Sequence, residues 1–277
     1  MIKDYTILIV ILSVISKVIN KNLFVFSHTC KTAVFGLLLL LCPHSKGETF
    51  YLMENGGVKR QFSFQASKLE MFRMYKTGAV SFYCGCTMEL PYILTKGCSL
   101  RQDISLPGKA YKAEYEHVFA VSNIKKRMGK GNLGPVLLEG CSKKSRSCLR
   151  SSNELFKTIE GDLHNIRPVI SIINRMRGSL KIGEVKKNVR KSGCGFKVGE
   201  KYFEPPNSVK GDVARIMLYL DRKYDSLSLL SKSRKDLFKK WNESDPVSRF
   251  EQALNNKIKE IQGDSNFYIE YKKGNYD

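Results

Sequence analysis

Six cysteines constrain this chain more than any other feature: Cys84, Cys86, Cys98, Cys141, Cys148 and Cys194 all follow a segment that reads as an export signal. Residues 33–42 (AVFGLLLLLC) form an apolar run of signal-peptide length, too short to span a bilayer comfortably. Lys17, Lys21 and Lys31 stand before it, polar residues follow at once, and the small residues Ser45 and Gly47 suit cleavage after about Gly47. A second apolar run at residues 6–15 leaves two readings open, an extra anchor or a true start further downstream. The expected division is therefore a targeting segment over 1–47 and a mature chain over 48–277. Cys30 and Cys42 fall in the first part, and the even number left in an exported chain points to disulfides. Zinc is the rival for such thiols. Cys84-Gly85-Cys86 has a single residue between its sulfurs, against the usual ~2–4 of zinc-ligand pairs, and no Cys stands beside a His. Disulfides are the better reading, with Cys141–Cys148 as a local pair and Cys84, Cys86, Cys98 and Cys194 pairing among themselves.

Charge narrows the partners. The chain carries 47 Lys and Arg against 26 Asp and Glu, a net +21. Five Lys and one Asp lie in 1–47, so +17 remains on the mature chain. A basic surface of this size favours polyanions, which admits nucleic acid, anionic lipid and acidic polysaccharide. With 42% hydrophobic residues the chain can bury a real core, which excludes a disordered basic tail. No internal repeat and no long linker is visible. The expectation is one domain, a monomer, with no stable membrane partner beyond the targeting segment.

Periodicity sketches the elements. Residues 63–77 carry a helical spacing, Ala79–Cys84 reads as a strand, and residues 114–120 read as another. Residues 122–151, rich in Lys, Arg, Gly and Ser, read as a loop stapled by Cys141–Cys148. Helical spacing resumes over 152–164, and again over 207–224 after Pro205-Pro206. Two more amphipathic helices fit 228–241 and 247–262, divided by Asp245-Pro246. The class is α+β, a mixed single domain with a helical C-terminal half.

The mature chain holds two histidines, each beside oxygen ligands: Glu116-His117 and Asp162-Leu163-His164-Asn165. Phosphodiester hydrolysis needs a base for water and a cation to offset charge on the phosphate. A neutral His supplies the first at neutral pH, and a carboxylate or amide oxygen holds a hard cation for the second. In a strand, Glu116 and His117 point to opposite faces, so both serve one site only where the strand ends or bulges.

Taken together, five stretches resemble the bacterial endonuclease I family, periplasmic or secreted nonspecific nucleases with a ββα-metal (His-Me finger) active site. Phe82-Tyr83-Cys84-Gly85-Cys86 is similar to its FYCGC, and Glu114-Tyr115-Glu116-His117-Val118 to its EWEHV. Glu160-Gly161-Asp162-Leu163-His164-Asn165-Ile166-Arg167-Pro168 is similar to its ExDLHNLxP. Glu204-Pro205-Pro206 with Lys210-Gly211-Asp212-Val213-Ala214-Arg215 resembles its EPPxxxRGAIAR. The tail agrees through Leu237-Phe238, Trp241, Pro246-Val247 and Ile261-Gln262-Gly263-Asp264-Ser265-Asn266. The resemblance covers roughly residues 62–270, with the motifs in the family's order.

It implies His117 as general base and Glu116 as metal ligand. Asn174 matches the second ligand, nine residues past Asn165, although Ile172, Arg175 and Met176 replace the Glu, Gly and Asp that flank it in the family. Glu160 matches an acidic residue near the metal, Asn165 falls within the same motif, and Arg146 is the nearest match to a phosphate-contacting Arg. His164 is expected to brace the fold. The implied cofactor is Mg²⁺, with Mn²⁺ or Ca²⁺ as substitutes. The implied substrate is DNA, and RNA as well, gripped through backbone phosphates. The family's EHVVPA is here Glu116-His117-Val118-Phe119-Ala120-Val121, without the Pro. Its late cysteine pair is absent, with Gln252 at one position, which implies a loss of about 2–4 kcal/mol of stability for one missing bridge.

Overall fold

The computed structural model describes residues 61–270 except 76–78, 95–97, 99, 101–110, 130–140, 142–144 and 188, together with the backbone of 26–27, 49–54, 57–60 and 110. All of the expected targeting segment but Phe26–Ser27 lies outside the described residues, as does the middle of the expected loop over 122–151.

The chain opens with β1 (Phe26–Ser27), β2 (Thr49–Glu54) and β3 (Gly57–Phe62), an antiparallel sheet in that order. Helix α1 (Phe64–Met74) follows, its first turn capped by Ser63, whose hydroxyl accepts from the Ala66 amide at 3.2 Å. A second antiparallel sheet takes β4 (Met88–Glu89), β5 (Tyr92–Leu94) and β6 (Ala110–His117). After β6 come α2 (Val121–Met128), α3 (Arg146–Ser152) and α4 (Glu154–Gly161). The chain then returns as β7 (Ile166–Ile170), antiparallel to β6 with Glu116 opposite Arg167 and His117 opposite Ile166, and passes directly into α5 (Ser171–Arg177). Short strands β8 (Lys181–Ile182), β9 (Arg190–Lys191), β10 (Lys197–Val198) and β11 (Tyr202–Glu204) form a sheet in the order β8-β11-β10-β9. Helices α6 (Lys210–Lys223), α7 (Lys232–Ser244), α8 (Arg249–Gln262) and α9 (Phe267–Glu270) complete the chain.

The expected α+β class holds, and so do the helices read over 152–164, 207–224, 228–241 and 247–262, within a few residues. Helix α8 starts where its chemistry dictates: Ser248 accepts from the Glu251 amide at 3.1 Å, and Glu251 reaches back to the Ser248 amide at 3.0 Å. The Glu251 carboxylate also grips Arg215, which is wholly buried on α6, at 2.6 Å. One side chain thus fixes the helix start and ties α8 to α6.

Two expectations fail. Ala79–Cys84 is not a strand: Val80 makes one isolated bridge and residues 82–84 turn. The Ser81 amide donates to the Cys86 carbonyl at 2.8 Å and the Gly85 amide to the Ser81 carbonyl at 3.0 Å, so the backbone bonds close locally instead of along a ladder. Gly85 sits at φ +61, where a side chain is strained, and this reversal sends the two flanking cysteines to different partners. Cys84 joins Cys194, 110 residues away, and Cys86 joins Cys98. The loop expected over 122–151 is also helical at both ends, as α2 and α3. There the Lys and Arg belong to helices rather than marking irregular chain. Cys141–Cys148 is bridged as expected.

The core runs through both halves, from Met71 and Tyr83 through Phe156, Ile159 and Phe203 to Leu220, Phe238 and Ile258. Gly161 permits its tightest seam. A Cβ there would come within 1.6 Å of the Phe62 carbonyl oxygen, so only glycine lets α4 lie against the end of β3.

Candidate active site

Strand alternation sends Glu114 and Glu116 to one face of β6 and His117 to the other. Because β6 ends at His117, the two faces meet at the strand terminus. Arg177, the last residue of α5, spans that terminus. Its Nε lies 3.0 Å from Glu116 Oε1, and its Nη2 donates to the Val118 carbonyl at 2.5 Å. Asn165 secures the outgoing chain: its side-chain oxygen accepts from the Phe119 amide at 2.7 Å, and its main-chain carbonyl accepts from the Val118 amide at 2.9 Å.

His117 is 7% exposed. Its Nε2 bonds the Glu160 carbonyl at 2.8 Å, and a carbonyl only accepts, so the proton of the neutral ring sits on Nε2. Nδ1 is then the bare, basic nitrogen, and no described protein group bonds it. Burial drives the ring's pKa down to about 3; the Glu160 bond opposes this, while Arg146, Arg177 and Arg150 add to it. The imidazole is therefore neutral across the physiological range. Phe64, at the start of α1, packs 4.4 Å from it, centroid to centroid.

Glu160 connects this ring to a basic cluster. Its carboxylate, 2% exposed, accepts from Arg146 Nε and from Arg150 Nε, the latter at 2.6 Å. Both guanidiniums and the Lys68 ammonium lie within 5.8 Å of the Phe64 ring centroid. The pKa of Lys68 falls, first through burial and then through Arg150 and Arg146. A phosphate here would relieve that repulsion.

Glu116 shows the opposite imbalance. Tyr83 donates to Oε1 at 3.2 Å and Arg177 faces the same oxygen, yet Oε2 is buried with no partner. Burial pushes the carboxyl up to about 7, against the pull of Arg177 and Tyr83. An orphaned buried carboxylate oxygen suits a hard cation. Asn174, one turn before Arg177 on α5, packs on the same face of β6. Its amide nitrogen donates to Glu114 Oε2 at 2.9 Å, which leaves the amide oxygen as the end able to ligate. No three His, Cys, Asp or Glu gather at one point among the described residues. A cation at Glu116 therefore fits only if water, phosphate and amide oxygens complete its shell, as Mg²⁺ accepts.

The structure thus brings Glu116, His117, Glu160, Asn165 and Arg146 to the β6 terminus, holds Asn174 on the same strand at Glu114, two residues before Glu116, and leaves His164 elsewhere. His164 Nε2 bonds the Asp264 carbonyl at 3.2 Å and its ring packs 4.5 Å from Tyr219, within the helical half. Sequence reasoning did not single out Arg150, Lys68, Phe64, Tyr83 or Arg177. Arg150 follows Arg146 by four residues, but in a stretch that reads as a loop this spacing carries no signal; only the helix over Arg146–Ser152 puts the two on one face.

The Endonuclease I family profile matches residues 65–272. An Endonuclease-1 of Buchnera aphidicola subsp. Acyrthosiphon pisum (strain APS) is 29% identical, over 75% of this chain and 80% of its own. An extracellular deoxyribonuclease of Aeromonas hydrophila is 30% identical, over 75% of this chain and 88% of its own. A periplasmic deoxyribonuclease of the same organism is 29% identical, over 86% of this chain and 96% of its own. With three quarters of the chain matched, and with the FYCGC, EH and DLHN segments converging on one strand end, this protein belongs to the endonuclease I family.

Proposed function

We propose that the protein is a secreted or periplasmic, sequence-nonspecific endonuclease that hydrolyses DNA, and RNA as well, to 5′-phosphate ends, with His117 as general base. The observation that carries this reading is the pairing, at one strand end, of a neutral His117 with a bare Nδ1 and a Glu116 with a buried, unpartnered oxygen. Strands β6 and β7 followed by α5 supply the order of a ββα-metal site. The three disulfides, and relatives named as extracellular and periplasmic enzymes, support export.

Glu116 and Asn174 would hold one Mg²⁺, which when bound offsets the charge that builds on the phosphate and the leaving 3′ oxygen. His117 Nδ1 takes the proton from the attacking water, while the Nε2–H bond to Glu160 fixes the ring's tautomer and aim. The positive charge that forms on the ring is disfavoured by burial and by three arginines, so the ring becomes a useful base only when the phosphate's negative charge is present. Arg146 and Arg150, anchored by Glu160, hold that phosphate. None of these groups reads a base edge, so cleavage should be indifferent to sequence and weaken steeply with salt.

The direct test incubates oxidised protein with supercoiled plasmid, with Mg²⁺ or with excess EDTA. Degradation that requires Mg²⁺ supports the reading; equal degradation in EDTA removes the metal from it. A second reading is a non-cutting, nucleic-acid-binding relic, favoured by Arg177 already neutralising one Glu116 oxygen. It requires plasmid that shifts in mobility but is never cut under either condition.

A further inference from the structure

Beyond the cluster at Phe64, the protein has a second concentration of positive charge. A cavity of about 270 Å³ lies beneath α2, β8 and α7. Its walls carry Lys126, Arg127, Arg177, Lys181 and Arg234, and no carboxylate. Elsewhere three arginines are matched to acids, buried Arg215 to Glu251 and Asp212, and Arg146 and Arg150 to Glu160. Arg234 has no such partner among the described residues. Its guanidinium instead lies 5.6 Å from the Tyr202 ring centroid and 4.8 Å from that of Phe238, and burial lowers its pKa.

The seat of Arg234 depends on a glycine. A Cβ at Gly183 would come within 2.6 Å of Arg234 Nη1 and 2.9 Å of the Tyr202 ring. Stacking on rings occupies the face of a guanidinium and leaves its edge donors for an anion. The cavity's inner end is lined by Arg177 and Val118, the latter one residue past His117. Its outer end shares Tyr202, Ser233 and Arg234 with an open hollow of about 780 Å³. That hollow adds four lysines, at 186, 187, 201 and 240, against three acids, Glu184, Glu200 and Asp236. Positive charge therefore prevails from the β6 terminus to the outer surface of α7.

We propose that this cavity is a second phosphate-binding site, centred on Arg234 and Lys181, that holds the polynucleotide backbone away from the bond being cut. The inference rests on the nuclease reading and adds to it a surface that sets affinity for long substrates rather than chemistry. Cations gathered around one cavity repel one another, and a backbone phosphate removes that repulsion while releasing counterions.

The test measures anisotropy of a labelled duplex of about 20 base pairs against salt, in EDTA so that nothing is cut. The double variant Arg234→Gln/Lys181→Gln should bind at least roughly tenfold more weakly, and its log K against log salt slope should be shallower by about 2, near 0.9 for each phosphate no longer neutralised. Arg234→Lys, which keeps the charge, should recover most of the affinity. Lys181→Gln alters an exposed side chain, so its share of the effect is free of any folding defect; thermal melting monitors Arg234→Gln. A wild-type slope and affinity in the double variant overturn the inference. So does a double variant that loses only binding of inorganic phosphate, measured by calorimetry, while holding the duplex normally: the cavity then serves the free ion. Wild-type protein that neither binds nor cuts duplex defeats the nuclease reading itself, whereas binding and cutting with an unchanged variant slope defeats this inference alone.

Discussion

Two buried carboxylates, Glu116 and Asp162, stand near His117 and His164 in the chain, and they are treated in opposite ways. Every oxygen of Asp162 is used. Oδ1 accepts from the His164 amide at 3.0 Å and from Gln262 at 3.1 Å; Oδ2 accepts from Lys223 at 2.8 Å, Tyr224 at 2.9 Å and Tyr219 at 3.3 Å. Burial alone would raise its pKa, but Lys223 and these hydrogen bonds outweigh it and hold the carboxyl down near 2. Glu116 is as deeply buried, has one of its oxygens unpartnered, and is pushed up to about 7. The histidines follow suit. Both are neutral, near 3 for His117 and near 4 for His164, each chiefly through burial. His164, however, is packed among saturated groups, while His117 has an open Nδ1, feels the charge of three arginines, and adjoins along the chain a carboxylate with an unpartnered oxygen. Burial and a shifted pKa do not by themselves separate a site from a brace; the unused bonding capacity does.

The largest expected effect is on catalysis. His117→Ala should lower the plasmid-nicking rate by about 10²–10⁴ with little change in folded content, as for loss of a positioned base. His164→Ala should nick at near the wild-type rate per folded molecule. Equal losses in the two variants would dissolve the distinction.

Stability should divide the other way. Asp162→Asn breaks a buried pair with Lys223 and should cost about 3–5 kcal/mol in urea unfolding. Glu116→Gln should cost clearly less, because a neutral amide oxygen still faces Arg177 and no saturated network is lost.

The pH dependence sharpens this. Asp162 has a folded pKa below its ordinary value of 3.8, so its contribution is present above that pH and fades as pH falls toward 2. His164, neutral when folded, is likewise stabilising above 6.5, and that part fades as pH falls from 6.5 to about 4. Glu116 and Asp212, both raised to about 7, contribute in the opposite sense as pH falls from 7 toward their ordinary values and offset His164 there, so the clearest loss of wild-type unfolding free energy should fall between about 4 and 2, and Asp162→Asn should flatten it. A variant with an unchanged acid limb contradicts the assignment of that limb to Asp162.

The smallest effect concerns grip. Arg150→Gln should raise KM for duplex DNA several-fold at low salt and leave kcat near wild type, with the difference shrinking as salt rises. A fall in kcat with KM unchanged would place Arg150 in the chemical step.

How much of this was legible depends on sequence distance. Helix α8, expected over 247–262 and observed over Arg249–Gln262, carries its periodicity and its capping box within the segment itself. The turn at Phe82–Cys86 was misread because β-prone residues were counted while Gly85 and the remote partner Cys194 decided the local path. Glu116 and His117 are neighbours in the chain and could be read together. Arg177 and Arg150 could not be picked from 47 Lys and Arg, because only folding shows which of them turn inward to meet Glu116 and Glu160. Asn174 was located by the family resemblance, yet its bond to Glu114 was not, since that bond joins two elements 60 residues apart.

The central claim is that the unpartnered oxygen of Glu116 is a cation seat and that the saturated Asp162 is not. Titration of Mn²⁺ into the metal-free protein, with bound metal counted by electron paramagnetic resonance, tests it most directly. The account predicts one Mn²⁺ per chain in the wild type, the same in His164→Ala, and none held in Glu116→Gln. Stoichiometric Mn²⁺ binding by Glu116→Gln would contradict it.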